Sequence, residues 1–191
     1  MAAKEDLARA FIATRAFKWD PDGGFRLASG VRSHYYVDCR ELLAHPVPRL
    51  LVARLAFEAI RSLAFECIGG LEIGAIPLAT AISDYGYQAT PRREWRTFVV
   101  RKQPKDHGLG KRIEGAAAVG ERALIVDDVL TSGNSILKSV AAARGTGLVV
   151  THALVIVDRE EQGARAKLEA EDLRVISLLK VRELRAAMEP A

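Results

Sequence analysis

Two adjacent carboxylates, Asp127 and Asp128, follow the apolar residues 123–126, and a run of small polar residues, Thr131-Ser132-Gly133-Asn134-Ser135, comes shortly after them. The hydroxyl groups of this run can donate hydrogen bonds to phosphate oxygens, and its glycine permits close approach of the backbone to a ligand. The carboxylates repel phosphate, but they suit sugar hydroxyls, an electron-deficient carbon or the shell of a magnesium ion. A ribose 5-phosphate carries both kinds of group, so the stretch is a candidate ribose-phosphate site.

A strand, a loop and a helix must position these side chains. Residues 123–126 are predicted to form a buried strand, and a helix is predicted from Asn134 to Arg144. The free N–H groups at a helix N-terminus attract anions, and ligands of open α/β sheets bind beyond the carboxyl ends of the strands. The order strand, acids, hydroxyls, helix therefore predicts an anion site at the edge of a sheet.

The rest of the chain alternates between strand and helix patterns. Strands are predicted near 66–69, 96–101, 122–126, 148–157 and 173–178, and helices near 3–17, 46–64, 75–87, 134–144, 161–170 and 180–188. Such alternation, with strands apolar on both faces, predicts an α/β fold with a central parallel sheet flanked by helices.

The organisation of the chain is predicted to be a single domain over residues 1–191. About 1–45 would form an N-terminal helix and a hairpin hood, with two short strands over 25–38, and about 46–191 would form the α/β core. Two cysteines are too few for a disulfide framework, and no apolar run reaches the ~18–20 residues of a membrane helix. A cytoplasmic protein with no membrane partner is expected.

The positive charge of the chain is concentrated in residues 92–112, which hold eight Lys or Arg residues against two acidic ones, whereas the remainder is slightly acidic. A solvated face, a nucleic-acid patch and an anion-substrate site are the three interpretations. Gly108 and Gly110 favour a hinged loop that closes over an anion. Single-strand binding would need interleaved aromatic residues, and the nearby Trp95 and Phe98 are predicted to be core residues.

Paired acids after a buried strand also occur in nucleotide-binding proteins of different types. An ATPase of the P-loop type requires G-x-x-x-x-G-K-[ST], and a dinucleotide site favours G-x-G-x-x-G after a strand; neither pattern is present. A purely structural helix cap could account for one carboxylate more easily than for two. A ribose-phosphate site therefore remains the favoured interpretation.

The motif VDDVLTSGNS resembles the ribose-phosphate motif of type I phosphoribosyltransferases. RKQPKDHGLGKRIEG, residues 101–115, resembles the mobile catalytic loop of one branch of that family, the orotate phosphoribosyltransferases. SGVRSHYYVDCR, GGLEIGAIPLA and VDREEQG resemble other blocks of that branch in the same order. The resemblance covers residues 25–163 and implies the type I phosphoribosyltransferase fold.

The activity that this resemblance implies is transfer of the 5-phosphoribosyl group from phosphoribosyl pyrophosphate (PRPP) to orotate, with magnesium, in pyrimidine (UMP) biosynthesis. Asp127 and Asp128 would hold the ribose hydroxyls and favour the positive charge that develops on the sugar. The 5-phosphate would be bound by Val129, Leu130, Thr131, Ser132, Gly133, Asn134 and Ser135. Pyrophosphate would be bound by Arg101, Lys102, Lys105 and His107.

The resemblance also implies how the base, the metal and a second subunit are held. Arg159 would pair with the carboxylate of orotate, although an ion pair with the neighbouring Glu160 or Glu161 is the alternative, and Tyr36 and Val37 would meet the pyrimidine. Magnesium would be held mainly by the substrate, without a protein metal site. A homodimer would share its active sites through the loop 101–112.

Two alternatives stay open. The protein could be a phosphoribosyltransferase for another base, since the phosphate motif is shared across the family. It could instead be a regulator that senses PRPP and binds nucleic acid through residues 92–112, although His107 is not needed for plain phosphate binding. Some members of the orotate branch carry lysine where this chain has Ala28 and Gly74, which removes possible anion contacts.

Overall fold

The computed structural model describes residues 2–26, 32–103, 112–161 and 163–188. The strands of its central sheet are β5 (Cys67–Leu71), β6 (Arg96–Val100), β7 (Ile113–Gly115), β8 (Arg122–Leu130), β9 (Val149–Asp158) and β10 (Arg174–Lys180). Their order across the sheet is β10-β9-β8-β5-β6-β7. All neighbours pair in parallel except β7, which runs antiparallel to β6 at the edge. The predicted central parallel sheet is confirmed.

Helices cover both faces of this sheet. They are α1 (Ala2–Ala13), α2 (Cys39–Ala44), α3 (Pro46–Ile60), α4 (Ala75–Gln88), α5 (Asn134–Gly145), α6 (Ala164–Glu169) and α7 (Val181–Ala186). Successive side chains of β8 point to opposite faces of the sheet. Leu124 and Val126 belong to the core formed with α1, α3 and α4, whereas Ile125 belongs to the core formed with α5 and α6. Both layers are needed to bury a strand that is apolar on both faces.

The hood consists of four short strands before the core: β1 (Phe17–Trp19), β2 (Phe25–Arg26), β3 (Arg32–Ser33) and β4 (Tyr35–Val37). β2 pairs with β3 and β1 with β4, both antiparallel. The predicted hairpin is therefore present, but the helix predicted over 3–17 ends at Ala13. The Ala16 N–H donates to the Phe11 carbonyl at 3.0 Å around Arg15, whose φ is 57°, so the chain leaves the helix and starts β1.

Strand β8 is longer than the predicted 122–126, and this places the paired acids on the strand itself. Asp127 pairs with Val155, and Leu130 with Asp158, in register with β9. Backbone pairing does not require apolar side chains where the strand passes a cavity, so the ladder continues through the polar residues.

Short elements beside the sheet were missed by the sequence patterns. The Asp38 carboxylate caps α2 by accepting hydrogen bonds from the N–H groups of Arg40 and Glu41, at 3.1 and 3.4 Å. Pro46 then opens α3 at its first position, as predicted.

None of the helices in the described parts of the chain has the length and apolar character needed to cross a membrane.

Candidate active site

A pocket of about 370 Å³ lies between the hood and the carboxyl ends of the sheet strands. Its walls come from the hood, α2, and the segments that follow β5, β6, β8 and β9: Val37, Asp38, Arg40, Leu71, Glu72, Ile73, Gly74, Lys102, Asp127, Asp128, Val129, Thr131, Ser135 and Arg159. β5 and β8 are adjacent, but the chain leaves them toward opposite edges of the sheet. This is a topological switch point, where open α/β sheets bind ligands.

The two carboxylates stand on the floor of this pocket. Asp127 is 8% exposed, and its Oδ1 accepts the N–H of Asp128 at 2.9 Å. Oδ1 of Asp128 accepts the N–H of Val129 at 2.9 Å. Burial, followed by the adjacent charge of Asp128, raises the pKa of Asp127 well above its usual range. A buried acid that the fold does not neutralise with a cation marks a functional site more often than a structural one.

The polar loop after β8 leads directly into α5. Gly133 has a φ of 76°, a left-handed conformation that favours glycine, and the first N–H groups of α5 follow it. Thr131 and Ser135 line the pocket. The residues between these two, Ser132, Gly133 and Asn134, do not line the pocket. The side-chain oxygen of Asn134 instead accepts a hydrogen bond from Lys167 at 2.6 Å.

Not all of the predicted phosphate-loop side chains face the pocket. Leu130 is 1% exposed and packs in the core beside α5, whereas Val129 lines the cavity. The strand alternation of β8 explains this, since neighbouring residues point to opposite faces. Any contact of Leu130 with a phosphate would use its backbone.

The basic loop begins at the end of β6. Lys102 lines the pocket, and its N–H donates to the carboxylate of Glu72 at 2.8 Å. Arg101 instead pairs with Glu114 on β7, at 3.4 Å. Its N–H also donates to the carbonyl of Arg112, so the paired strands β6 and β7 form the stem of the loop. The predicted residues Lys105 and His107 lie outside the described part of the chain.

The described cations of residues 92–112 do not form one patch. Arg92 precedes β6, and its guanidinium lies 4.2 Å from the centre of the Tyr87 ring. Arg96, the first residue of β6, pairs with Glu121. Lys102 lies beyond the other end of that strand, whose five residues span about 16 Å at about 3.3 Å per residue. Trp95 is buried against Phe65, with ring centres 4.5 Å apart, and is not free to stack on a base.

Arg159 reaches the pocket from the end of β9 and is 4% exposed. Its Nε donates to Glu161 at 3.1 Å, so the ion pair considered as an alternative is present, with a buried guanidinium and a partly exposed carboxylate. Val37 lines the pocket opposite the sheet. Tyr36 does not line it, because its hydroxyl donates to Asp38 at 3.3 Å and its ring packs on Phe25.

Several pocket residues were not singled out from the sequence. Asp38 and Arg40 follow the hood, and Glu72 and Ile73 follow β5. The Cys39 thiol supports the pocket from behind, 3.7 Å from the carbonyl oxygen of Asp128, and burial raises its pKa. An acidic residue at the carboxyl end of a predicted strand was the signal that could have found Glu72, and the helix-capping position was the signal for Asp38.

These features define a class: an α/β protein with a pocket of paired acids and hydroxyl groups at its topological switch point. Curated relatives give the particular family. The chain is 39% identical over 184 residues to "Orotate phosphoribosyltransferase" of Aquifex aeolicus, which covers 96% of this chain and 98% of the relative. No family model matches the chain.

Solved structures agree with this similarity. The Mycobacterium tuberculosis orotate phosphoribosyltransferase in complex with inorganic phosphate has a TM-score of 0.78 at 35% identity, covering 97% of this chain and 99% of that one. Its complex with PRPP has a TM-score of 0.76 at 35% identity, covering 96% and 99%. The chain belongs to the orotate phosphoribosyltransferase family, which confirms the resemblance seen in its motifs.

Proposed function

We propose that the protein transfers the 5-phosphoribosyl group of PRPP to a ring nitrogen of orotate, releasing pyrophosphate and forming orotidine 5′-monophosphate. The observation that carries this proposal is the pair Asp127–Asp128, with Asp127 buried, which opens onto the same pocket as the hydroxyl-rich loop and Arg159. The near full-length similarity to orotate phosphoribosyltransferases, one of them solved with PRPP, supports it.

The carboxylates act on the ribose. Displacement at a sugar C1 passes through an oxocarbenium-like transition state, so negative charge beside the ring lowers its energy. Asp127 and Asp128 line the pocket and would bind the ribose hydroxyls and face that charge. Burial keeps a proton on Asp127 in the ligand-free protein, and the positive charge that develops on the sugar would favour its ionised form. Because water is largely excluded from Asp127, that interaction is stronger than it would be in solvent.

The loop after β8 binds the 5-phosphate. The hydroxyl groups of Thr131 and Ser135, and the N–H groups at the start of α5, are the donors that a phosphate dianion requires. Backbone groups of Val129, Leu130, Ser132, Gly133 and Asn134 complete the binding segment. None of these groups is a cation, so the loop binds the phosphate without neutralising it fully.

Pyrophosphate is bound on the other side of the ribose, by the segment after β5 and by the basic loop. Lys102 lies at the pocket, and Lys105 and His107 follow it in the sequence, with Arg101 at the stem. Cations that close over a multiply charged leaving group stabilise the charge it gains as the bond to C1 breaks.

Magnesium would supply positive charge that the pocket itself lacks. Described pocket residues include four acidic side chains (Asp38, Glu72, Asp127, Asp128) and three cations (Arg40, Lys102, Arg159). Even with a proton on Asp127, whose pKa is raised by burial, the cations do not outnumber the carboxylates that a polyanionic substrate must approach. These oxygens are hard donors of the type that Mg²⁺ prefers, and the ion keeps several waters and binds substrate phosphates. When bound, it would neutralise and orient the pyrophosphate of PRPP.

The base lies toward the hood. Val37 and the backbone around Tyr36 would face the pyrimidine ring, and Arg159 would bind the carboxylate that distinguishes orotate from uracil. Residues 1–191 would act as one phosphoribosyltransferase domain in a cytoplasmic homodimer, with the loop 101–112 reaching the partner's site. A transferase for another base is the second candidate, favoured only by the pairing of Arg159 with Glu161, which offsets the charge of the guanidinium.

The test is the absorbance of orotate with protein, PRPP and magnesium, run in parallel with uracil and adenine. We expect orotate to be consumed with stoichiometric release of pyrophosphate. Both should be lost with EDTA and should recover when Mg²⁺ is added. Consumption of another base in preference to orotate would contradict the proposal.

A further inference from the structure

The guanidinium of Arg159 is held by groups from two distant parts of the chain. Its Nη2 donates to the Ser33 hydroxyl at 2.6 Å and to the Tyr35 carbonyl at 3.1 Å, both in the hood. Its Nε and Nη2 donate to the Glu161 carboxylate at 3.1 and 3.3 Å. Because the guanidinium is buried, this network and not solvent sets its orientation.

The Ser33 hydroxyl is the centre of the network. It donates to Glu161 at 3.1 Å, and it accepts hydrogen bonds from Arg159 and from the Tyr35 N–H at 3.2 Å. A serine hydroxyl has one donor and two acceptor positions, so all three are used. Ser33 is 8% exposed, and water cannot easily replace it.

These hydrogen bonds use Nε and Nη2 of the guanidinium. Among the described residues none accepts a hydrogen bond from Nη1, although Arg159 lines the pocket. Nη1 is therefore the nitrogen that a ligand can reach. Since Glu161 already offsets the charge of Arg159, recognition of a ligand carboxylate depends on how well Nη1 is aimed.

We propose that Ser33 and Glu161 are positioning residues for base recognition, which fix Arg159 with Nη1 toward the pocket, so that Arg159 binds the carboxylate of the acceptor base in one orientation. This inference rests on the proposed function. It also makes Arg159 the point where the hood is fastened to the core, so that truncating Arg159 alone would mix two effects. Ser33 is the better site for a test, because its side chain does not line the pocket.

The experiment measures the KM values for orotate and for PRPP in Ser33→Ala, Ser33→Thr and the wild type. Losing a hydrogen bond to a charged group should raise the KM for orotate about tenfold or more in Ser33→Ala. The KM for PRPP should stay within about twofold of the wild type, because the phosphate loop lies on β8 and α5. Ser33→Thr keeps the hydroxyl and should restore most of the orotate affinity.

Two further variants separate positioning from general damage. Glu161→Ala removes the other half of the network, at a partly exposed side chain, together with the charge that offsets Arg159. If Glu161 positions the guanidinium, the KM for orotate should rise selectively. A lower KM for orotate in this variant would show that Glu161 weakens recognition through its charge and would overturn its positioning role. Ser83→Ala is the matched control, since Ser83 also donates from a part-buried hydroxyl, to the Trp95 carbonyl away from the pocket. It should change neither KM.

Each outcome separates this inference from the proposed function. The positioning roles would be overturned if the KM for orotate were unchanged in both Ser33→Ala and Glu161→Ala. They would also be overturned if the KM values for orotate and PRPP rose equally. The proposed activity would stand in either case. A wild type that produces no orotidine 5′-monophosphate would overturn the proposed function and this inference with it.

Discussion

Gly74 lies directly against the carboxylate of Asp128, so that a β-carbon added at Gly74 would stand 2.8 Å from Cγ and 2.9 Å from Oδ1 of Asp128. The segment after β5 and the acids at the end of β8 thus touch across the pocket. The absence of a side chain at Gly74 leaves room for the carboxylate.

Gly74→Ala should therefore displace the Asp128 carboxylate and lower turnover by about one to two orders of magnitude, since misplacing a catalytic group by ~1 Å has effects of that size. Steady-state kinetics with PRPP and orotate measure it. Gly145→Ala is the matched control, because a β-carbon there meets nothing within 4 Å. Equal activity of Gly74→Ala and Gly145→Ala would show that the contact does not position Asp128.

Asp127 should make the ligand-free protein less stable as the pH rises. Because the folded protein raises its pKa, the native state holds a proton that the unfolded state has released above about pH 4. The stability that this proton contributes is complete below that pH and is lost as the pH rises through the folded-state pKa. The Asp127→Asn variant has no carboxyl group to ionise at this position. Its Tm should therefore exceed that of the wild type by a margin that grows as the pH rises.

Thermal unfolding from pH 4 upward, in EDTA and without ligands, measures this difference. Asp84→Asn, at an exposed acid on α4 outside the pocket, is the matched control for the loss of one carboxylate. A constant or shrinking gap between Asp127→Asn and the wild type would mean that Asp127 is not held in its protonated form by the fold.

The fold could be predicted from the sequence because its signals are local. Strands that are apolar on both faces, and helices opened by Pro46 or by the small residues at 131–135, determine an α/β sheet without knowledge of distant contacts. The short strands β1 and β7 were missed because they contain only three residues each and depend on their partners β4 and β6.

Local patterns predicted the part of the site that one strand and its following loop carry. Asp127 and Asp128 at the end of β8, with Thr131 and Ser135 after it, reach the pocket together. Val37, Lys102 and Arg159 come to it from other elements and were expected only through the family resemblance. The pairing of Arg101 with Glu114 depends on a neighbouring strand, and the bond of Ser33 to Arg159 joins residues that are 126 positions apart. No local pattern encodes such contacts.

Sharing of active sites between two subunits predicts complementation. If the loop 101–112 serves the partner's site, Lys105→Ala inactivates the neighbouring site, whereas Asp127→Asn inactivates its own. Random subunit exchange between the two inactive variants should restore about a quarter of all sites, because half of the dimers are hybrids with one intact site. Activity that stays at the sum of the parents after verified exchange would contradict a shared site, but not the chemistry.

The most direct test of the central claim is the turnover of Asp127→Asn, Asp128→Asn and the double variant with PRPP and orotate. Carboxylates that stabilise charge mainly in the transition state should lower kcat by about two to three orders of magnitude each when neutralised, while PRPP still binds. Circular dichroism and calorimetry with PRPP confirm that each variant is folded and binds its substrate. A folded double variant with wild-type turnover would contradict the assignment of Asp127 and Asp128 as the groups that drive phosphoribosyl transfer.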